Sequence, residues 1–534
     1  MIQALCVGDR KLVELDPSAK ILHIPKPISD THRKKLTIIA RPAIAGTMNP
    51  IAYDECICNE AVAIRNRVCG EVPVPNAKAL KRLRARARRL ARRLPKVKPW
   101  ELSRGPSTYS GRKRLRYERA AEKVRVRPTT RRDAQVRAFI KFEKLMKVSD
   151  PRMIQHRSWR YNVDLMRYLK PLEHIIYEMK GDGKLLPKGR SIAKGLSNKA
   201  RAAMFVRKWK EFEDPVAITL DVSRFDRHVN EDLLRIEHTI YRAMHNYDPH
   251  LTQLLGWQIN NKATTVQGIR YTRRGGRMSG DMNTALGNCI LMVLMCSDYL
   301  EQLNVKYDLL DDGDDCLVIV ERKDAKKVED GAIAQFLDYG MSVKVENVAD
   351  RLEDVEWCQS RLVETEIGEW TFARNWTKVL SIDLAGVKYL SSEKAQRRLA
   401  KTIGIGELSG FAGLPILQEY ALALIRNGGN AKPFDIDMTD DYYYRFRNEQ
   451  AFRQGRDRLI WGTVEPRDVS DLARASFSKA YGVSPSRQKE IEVALRNWKV
   501  KFGVGEMIRP YQRSSGSDGA LDTILTTDFP FVYL

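Results

Sequence analysis

The stretch from Leu309 to Val320, LLDDGDDCLVIV, sets four aspartates into five positions between apolar runs. Leu309-Leu310 and Cys316 to Val320 have the composition of short strands buried on both faces. Gly313 after Asp312 is a strong turn signal, because glycine adopts backbone angles that other residues resist. The pattern predicts a hairpin with Asp314 and Asp315 at its tip. Carboxylates this close repel, and a buried one without a partner takes up a proton, so something cationic is expected beside them. Hard oxygen donors suit Mg2+ or Mn2+ better than zinc.

A second carboxylate pair lies in DVSRFDRHV, where Asp221 ends an apolar run and Asp226 follows five residues later. If adjacent strands bring Asp221 to Asp314 and Asp315, the three can hold two divalent ions, the arrangement that stabilises both the attacking and the leaving oxygen of an in-line phosphoryl displacement. Asp226 is better placed to meet a substrate than a metal. In GGRMSGDMNTALGN, Ser279, Thr284 and Asn288 recur at intervals of five and four. A helix beginning near Asp281 would project Thr284 and Asn288 from one face. A hydroxyl and an amide beside Asp226 suit a ribose 2′-OH, the group that separates RNA from DNA precursors.

At 534 residues the chain exceeds what one core usually supports, so two or three subdomains are expected. Its net charge of +25 is clustered, which points to a polyanionic partner, nucleic acid first. Lys78 to Lys98 carries eleven Lys or Arg and no acid. Leu80, Leu83, Ala87, Leu90 and Leu94 recur at helical spacing, so a helix with one apolar stripe is predicted, stopped by Pro95. A solvated face, a nuclear address, a membrane-surface helix and an RNA clamp all fit such a helix. With no local acid to offset it, phosphate contact through Lys81, Arg82, Arg86, Arg89 and Arg93 is the favoured reading. Basic residues continue through Arg112, Lys113 and Arg114 to Asp133, so the first third reads as an electropositive channel wall.

The eight cysteines show no paired framework, and Cys56, Cys58 and Cys69 lack a fourth ligand at zinc-finger spacing. A reducing compartment is expected. The N-terminus has no secretory pattern, and the longest apolar run, Cys289 to Cys296, is too short to span a bilayer. Any membrane association is therefore expected to be peripheral or through a partner.

From Ala217 onward, short apolar strands alternate with helical stretches, an α+β order with the acidic candidates at strand ends. Residues beyond about 380 read mostly helical, and the tail after Tyr511 begins with a Ser/Gly segment. D-x4-D at Asp221 and Asp226, S-G-x3-T-x3-N from Ser279 to Asn288, and G-D-D from Gly313 to Asp315 together resemble, in order and spacing, the palm motifs of viral RNA-dependent RNA polymerases. Phe139 to Tyr177 resembles the basic fingers segment of the tombusvirus-like polymerases of positive-strand RNA plant viruses. VEWCQSRLV, Val355 to Val363, resembles their primer-grip hairpin, and YSGRKRLRYERA, Tyr109 to Ala120, a template-channel segment. The resemblance covers roughly residues 50 to 430.

This resemblance implies a right hand of fingers, palm and mostly helical thumb. The expected division is 1–75 as an N-terminal and fingers extension, 76–216 as fingers, 217–365 as palm with a fingers insertion near 230–275, 366–510 as thumb and 511–534 as a tail. It further implies that Asp221, Asp314 and Asp315 hold two Mg2+ (or Mn2+) ions, and that Asp226 and Asn288, with Ser279 and Thr284 nearby, recognise the ribose. Lys144 and Arg152, helped by Arg157 and Arg160, would meet the incoming triphosphate. Lys344 would protonate the pyrophosphate leaving group. Cys358, Gln359 and Ser360 would position the 3′ end. The implied partners are RNA template, nascent RNA and ribonucleoside triphosphates, with no DNA, in membrane-associated complexes of the host cytoplasm and primer-independent initiation.

Members of that group share their N-terminal part with a smaller replication protein bearing membrane anchors. Such anchors are absent here. The chain is expected to be the downstream part of a longer product, a shortened form of it, or a protein brought to membranes by that accessory partner. Two rivals remain open on the sequence: a reverse-transcriptase-like polymerase, against which Asp226 and Asn288 count, and a basic RNA-packaging protein, for which the acidic constellation has no use.

Overall fold

The computed structural model describes residues 13–25, 36–386, 392–434, 452–454, 459–461, 464–503 and 506–508. The tail from 511 to 534, with its Ser/Gly segment, lies outside the described residues. The fold is a mixture of helices and sheets, and its centre is a four-stranded antiparallel sheet. The strands run in the order Tyr307–Asp311, Asp315–Glu321, Pro215–Val222 and Val343–Ala349.

This sheet is apolar on both sides, because alternate residues of its central strands feed two cores. Val216, Ile218 and Leu220, with Val318 and Val320, face a core built with the helices Ala77–Arg93, Trp159–Tyr177, Glu231–Met244 and Thr284–Gln302. Ala217, Leu317 and Ile319 face a second core with Phe205, Trp357, Leu362 and Phe372. The expectation of strands buried on both faces is met: Leu309, Leu310 and Cys316 to Val320 are all fully buried. The long central helix Thr284–Gln302 is apolar nearly all round, which is why it can run through the interior beneath the sheet.

A five-stranded sheet joins segments far apart in sequence, in the order Ala19–His23, Arg270–Arg274, Asn260–Thr265, Val136–Ile140 and Met153–His156. Its Val136–Ile140 and Asn260–Thr265 strands pair in parallel. A short three-stranded sheet of Glu356–Trp357, Ser360–Glu366 and Glu369–Arg374 follows the central one. The helices Glu393–Phe411, Leu417–Gly428, Asp471–Tyr481 and Pro485–Asn497 close a separate core that also takes in Ile39 and Ile44. Residues near 40 thus pack with the C-terminal helices.

Candidate functional site

The predicted acidic hairpin forms. Tyr307–Asp311 and Asp315–Glu321 pair antiparallel, and Gly313 takes a left-handed φ of 102° in the connecting turn. On the other side, Asp315–Glu321 pairs with Pro215–Val222 in a register that sets Asp315 directly opposite Asp221. The amide of Val222 donates to the carbonyl of Asp314 at 3.3 Å, which ties the turn to the same strand end. Three carboxylates separated by nearly a hundred residues therefore share one end of the central sheet.

Burial first, then the neighbouring Asp314 and Asp221, push the Asp315 carboxyl up to about 7. Burial, then Glu346 and Asp314, push Asp221 up to about 6, against the opposing charge of Lys344. Lys344 is the cross-strand partner of Asp221 and is exposed. Glu346, which our sequence reading passed over, sits at a register shift in the same strand and adds negative charge to the centre. Its signal was the alternation in Val343–Ala349, which sends Lys344 and Glu346 toward the same side.

These oxygens are the donors that Mg2+ or Mn2+ prefers, and their mutual repulsion is what a divalent cation relieves. The side chains are nevertheless not gathered into a finished cage: among the described residues, no three His, Cys, Asp or Glu side chains stand grouped as metal ligands. What the structure gives is the register of Asp221 with Asp315 beside the Asp314 turn, with the three carboxylates inside one another's electrostatic field.

The other two aspartates of the run have different solutions. Asp312 is paired with Lys194 at 2.5 Å and Arg201 at 2.8 Å. Burial works against the Lys194 ammonium, but Asp312 outweighs it and holds its pKa up. Asp311 is fully buried, and desolvation drives its carboxyl far above the usual range, against the nearby Lys194 charge. Divalent ions are thus not needed to explain all four. The backbone of Asp311 is pinned as well, accepting from the amide of Ala193 and donating to Ser191, each at 2.8 Å.

The Glu356–Trp357 and Ser360–Glu366 strands are joined by Cys358 and Gln359, both at positive φ, 49° and 58°. This tight turn reaches the acidic edge: the indole of Trp357 donates to the carbonyl of Asp315 at 3.2 Å, and the Cys358 thiol lies 3.7 Å from Asp312 Oδ2. Gln359 takes the Lys378 ammonium on its amide oxygen, and Ser360 turns its hydroxyl to the Cys358 carbonyl at 3.5 Å.

Asp226 follows Arg224, whose φ of 53° bends the chain after the sheet. The Asn288 amide donates to Asp226 Oδ1 at 3.1 Å and accepts from Arg277 Nε at 3.0 Å. Burial raises the Asp226 carboxyl, opposed by that hydrogen bond and by the Arg277 charge. Ser279 and Thr284 do not join this pair. Ser279 is held between strand groups, accepting from the Gln155 amide at 3.1 Å, while Thr284 donates to the Met278 carbonyl at 2.9 Å. Both hydroxyls shape the loop before the central helix.

Residues 59–503 match a family model described as viral RNA-dependent RNA polymerase. The chain belongs to the viral RNA-dependent RNA polymerase family. Curated relatives bear the name RNA-directed RNA polymerase: that of maize chlorotic mottle virus is 35% identical over 405 residues, which are 74% of this chain and 40% of the relative. That of tobacco necrosis virus (strain D) is 34% identical over 455 residues, 82% of this chain and 60% of the relative. That of tomato bushy stunt virus (strain Cherry) is 34% identical over 401 residues, 74% and 47% respectively. The chain therefore spans about half the length of the curated relatives it matches.

The basic residues of this polymerase-family chain divide sharply. Arg157 is corrected from a phosphate ligand to an internal tie: its guanidinium is fully buried and bonds Asp281 at 2.7 and 3.1 Å, the Ala134 carbonyl at 2.6 Å and Asn261 at 2.7 Å. Arg160 is likewise spent, on Asp133 at 2.9 Å and the carbonyls of Lys123, Arg127 and Pro128. Lys144 donates to the carbonyls of Ile382 at 2.6 Å and Ala385 at 2.9 Å, which directs it toward the C-terminal core. Arg152 alone of the four stays half exposed, 3.5 Å from Glu143 and within the electrostatic field of Asp226.

The predicted basic helix forms as Ala77–Arg93 with its apolar stripe buried, but its charge is partly offset after all. Arg82 pairs with Asp298 at 3.0 Å, Arg84 with Asp232 at 2.5 Å, Arg93 with Asp182 at 2.9 Å, and the buried Arg86 with Glu301. These acids lie far along the chain, invisible to a local charge count. Lys81 and Arg89 remain exposed. In the Gly111–Val126 helix Arg112 is exposed, Lys113 stands 4.4 Å over the Tyr109 ring and Arg114 pairs with Glu118 at 2.7 Å. Among the described residues, no helix is long and apolar enough to cross a membrane.

Proposed function

We propose that the chain is an RNA-dependent RNA polymerase that replicates a positive-strand viral genome, joining ribonucleoside triphosphates on an RNA template. The observation that carries this reading is the register that sets Asp221 opposite Asp315 beside the Asp314 turn. The Asn288–Asp226 contact, just past the end of the strand that carries Asp221, supports it. In this reading the central sheet is the palm (217–365), 76–216 with the 230–275 insertion forms the fingers, 366–510 the thumb, and 1–75 and 511–534 the terminal extensions.

The 3′-hydroxyl of nascent RNA attacks the α-phosphate of the incoming nucleotide and pyrophosphate leaves. Asp221, Asp314 and Asp315 would hold two Mg2+ or Mn2+ ions, which when bound neutralise charge on the attacking and leaving oxygens. Lys344, exposed beside Asp221, protonates the departing pyrophosphate. Asp226 and Asn288 hydrogen-bond the ribose 2′-hydroxyl. Arg152 meets the triphosphate, and the turn of Cys358, Gln359 and Ser360 aligns the 3′ end. Lys81, Arg89 and Arg112 contact RNA phosphates. A viral accessory replication protein brings the polymerase to host membranes in the cytoplasm.

The test supplies a short RNA, four ribonucleotides and Mg2+ or Mn2+ to wild type and to Asp314→Ala. Wild type is expected to extend RNA, and the variant to bind RNA without extending it. Equal synthesis by both, or equal use of deoxynucleotides by wild type, refutes the reading.

A further inference from the structure

We propose that Arg277, braced by Glu237, is a positioning residue that sets sugar selectivity by fixing which way the Asn288 amide points; this rests on the reading of Asp226 and Asn288 as the ribose contact. An asparagine amide has a donor end and an acceptor end of nearly equal shape, so it selects nothing unless its orientation is held. Arg277 Nε donates to Asn288 Oδ1 at 3.0 Å, and the amide nitrogen then faces Asp226 Oδ1 at 3.1 Å. A flipped amide would set its NH2 against the guanidinium and its oxygen against the carboxylate, donor to donor and acceptor to acceptor. In this arrangement Asp226 Oδ2 would accept from a 2′-hydroxyl.

Arg277 is in turn fixed by two further contacts. Its guanidinium forks onto the Glu237 carboxylate, with Nη1 at 3.2 Å from Oε1. Its backbone amide donates to the carbonyl of Asp226 at 2.8 Å, so the anchor and the residue it orients move together. Glu237 also accepts from Asn283 at 2.7 Å, and Asn283 accepts from Gln258 at 2.9 Å. Arg277 and Glu237 are 2% and 0% exposed. Gly287, the neighbour of Asn288, lets the central helix touch this pair: a methyl group there would fall on both the Glu237 carboxylate and the Arg277 guanidinium. A buried ion pair of this kind rarely adds net stability over apolar residues of equal size, and the best-attested return for burying one is a fixed geometry.

The experiment measures kcat/KM for ATP and for dATP on an RNA template with the full chain. The variants are Asn288→Ala, Arg277→Lys, the packed apolar double variant Arg277→Met with Glu237→Leu, and Asn288→Ala combined with Arg277→Lys. A lysine keeps the charge but cannot fork between Glu237 and Asn288. Both Arg277 variants are expected to lower the ATP-to-dATP ratio about tenfold, the worth of one lost hydrogen bond in a buried site, by loss on the ATP side. Because they act through the same amide, Arg277→Lys is expected to cost no further selectivity once Asn288 is alanine. A merely structural Arg277 would lower both nucleotides alike and leave the ratio fixed, and that result, in variants whose unfolding midpoints show them folded, overturns the inference. If Asn288→Ala itself leaves the ratio unchanged, the ribose reading fails and takes the inference with it. If Asn288→Ala lowers it and neither Arg277 variant does, only the inference fails.

Discussion

Arg157→Ala separates an internal tie from a substrate contact. In the wild type four hydrogen bonds leave this guanidinium, two of them to Asp281, and its side chain is wholly inaccessible to water. Alanine would leave the buried Asp281 carboxylate without its counter-charge, still accepting from the Gln258 amide at 3.2 Å, and would release one carbonyl and the Asn261 amide oxygen. Breaking one side of a buried ion pair costs about 3–5 kcal/mol. A typical domain has only about 5–15 kcal/mol to lose. The expected outcome is a large fall in the denaturant midpoint, with the nucleotide KM of whatever folded protein remains close to that of wild type. Arg152→Ala is the comparison: its contact with Glu143 is 3.5 Å long and its side chain 55% exposed, so the stability change should stay within about 1 kcal/mol. Its effect should appear in nucleotide KM. Midpoints followed by circular dichroism and KM from single-nucleotide incorporation decide between them. An Arg157→Ala protein of unchanged midpoint with a raised KM would refute the reasoning.

Acid should destabilise the fold through His228 and His238, whose imidazoles burial holds down at about 4. The unfolded chain takes up these protons from about 6.5 downward while the folded one does not, so stability is full above pH 6.5 and lost as pH falls toward 4, by at most about 3 kcal/mol per histidine. A thermal midpoint flat across that range contradicts this. Replacing Lys81 and Arg89 together by alanine should weaken RNA binding and lower the slope of log affinity against log salt by about 1–2, with the melting curve unchanged. Arg86→Ala should do the reverse, since the buried Arg86 guanidinium holds the carbonyl of Leu185 as well as the Glu301 carboxylate. Adding Mg2+ should raise the wild-type unfolding midpoint, and Asp314→Asn or Asp315→Asn should shrink that shift, which differential scanning calorimetry reads without any turnover.

The acidic hairpin was legible because its signals are local: an apolar run, a turn glycine and the alternation of a strand within twelve residues. The grouping of Asp221 with Asp315 was legible only through spacing and resemblance, since pairing between distant strands leaves no mark in either one. Burial of arginine left no mark at all. Arg152, Arg157 and Arg160 look alike as sequence, yet one is exposed, one lies in the interior and one clasps the end of a helix. Their partners, Asp281 and Asp133, are acids that no window around each arginine singles out. The same blindness hid Lys194 and Arg201, which neutralise Asp312, and made the Ala77–Arg93 helix look more naked than it is. Glu346 lies two residues beyond Lys344 in the strand Val343–Ala349, so alternation marks both.

The turn carrying Asp314 and Asp315 is held from outside by the segment around Ser191 to Arg201, through the backbone of Asp311 and the carboxylate of Asp312. It is consequently a poor unit of exchange. A chimera that received residues 307–321 from a relative while keeping its own 189–201 would inherit a hairpin without its clasp, whereas grafting both segments together should transfer a working edge. Homologous recombination between such genes should then leave these two stretches travelling as a pair.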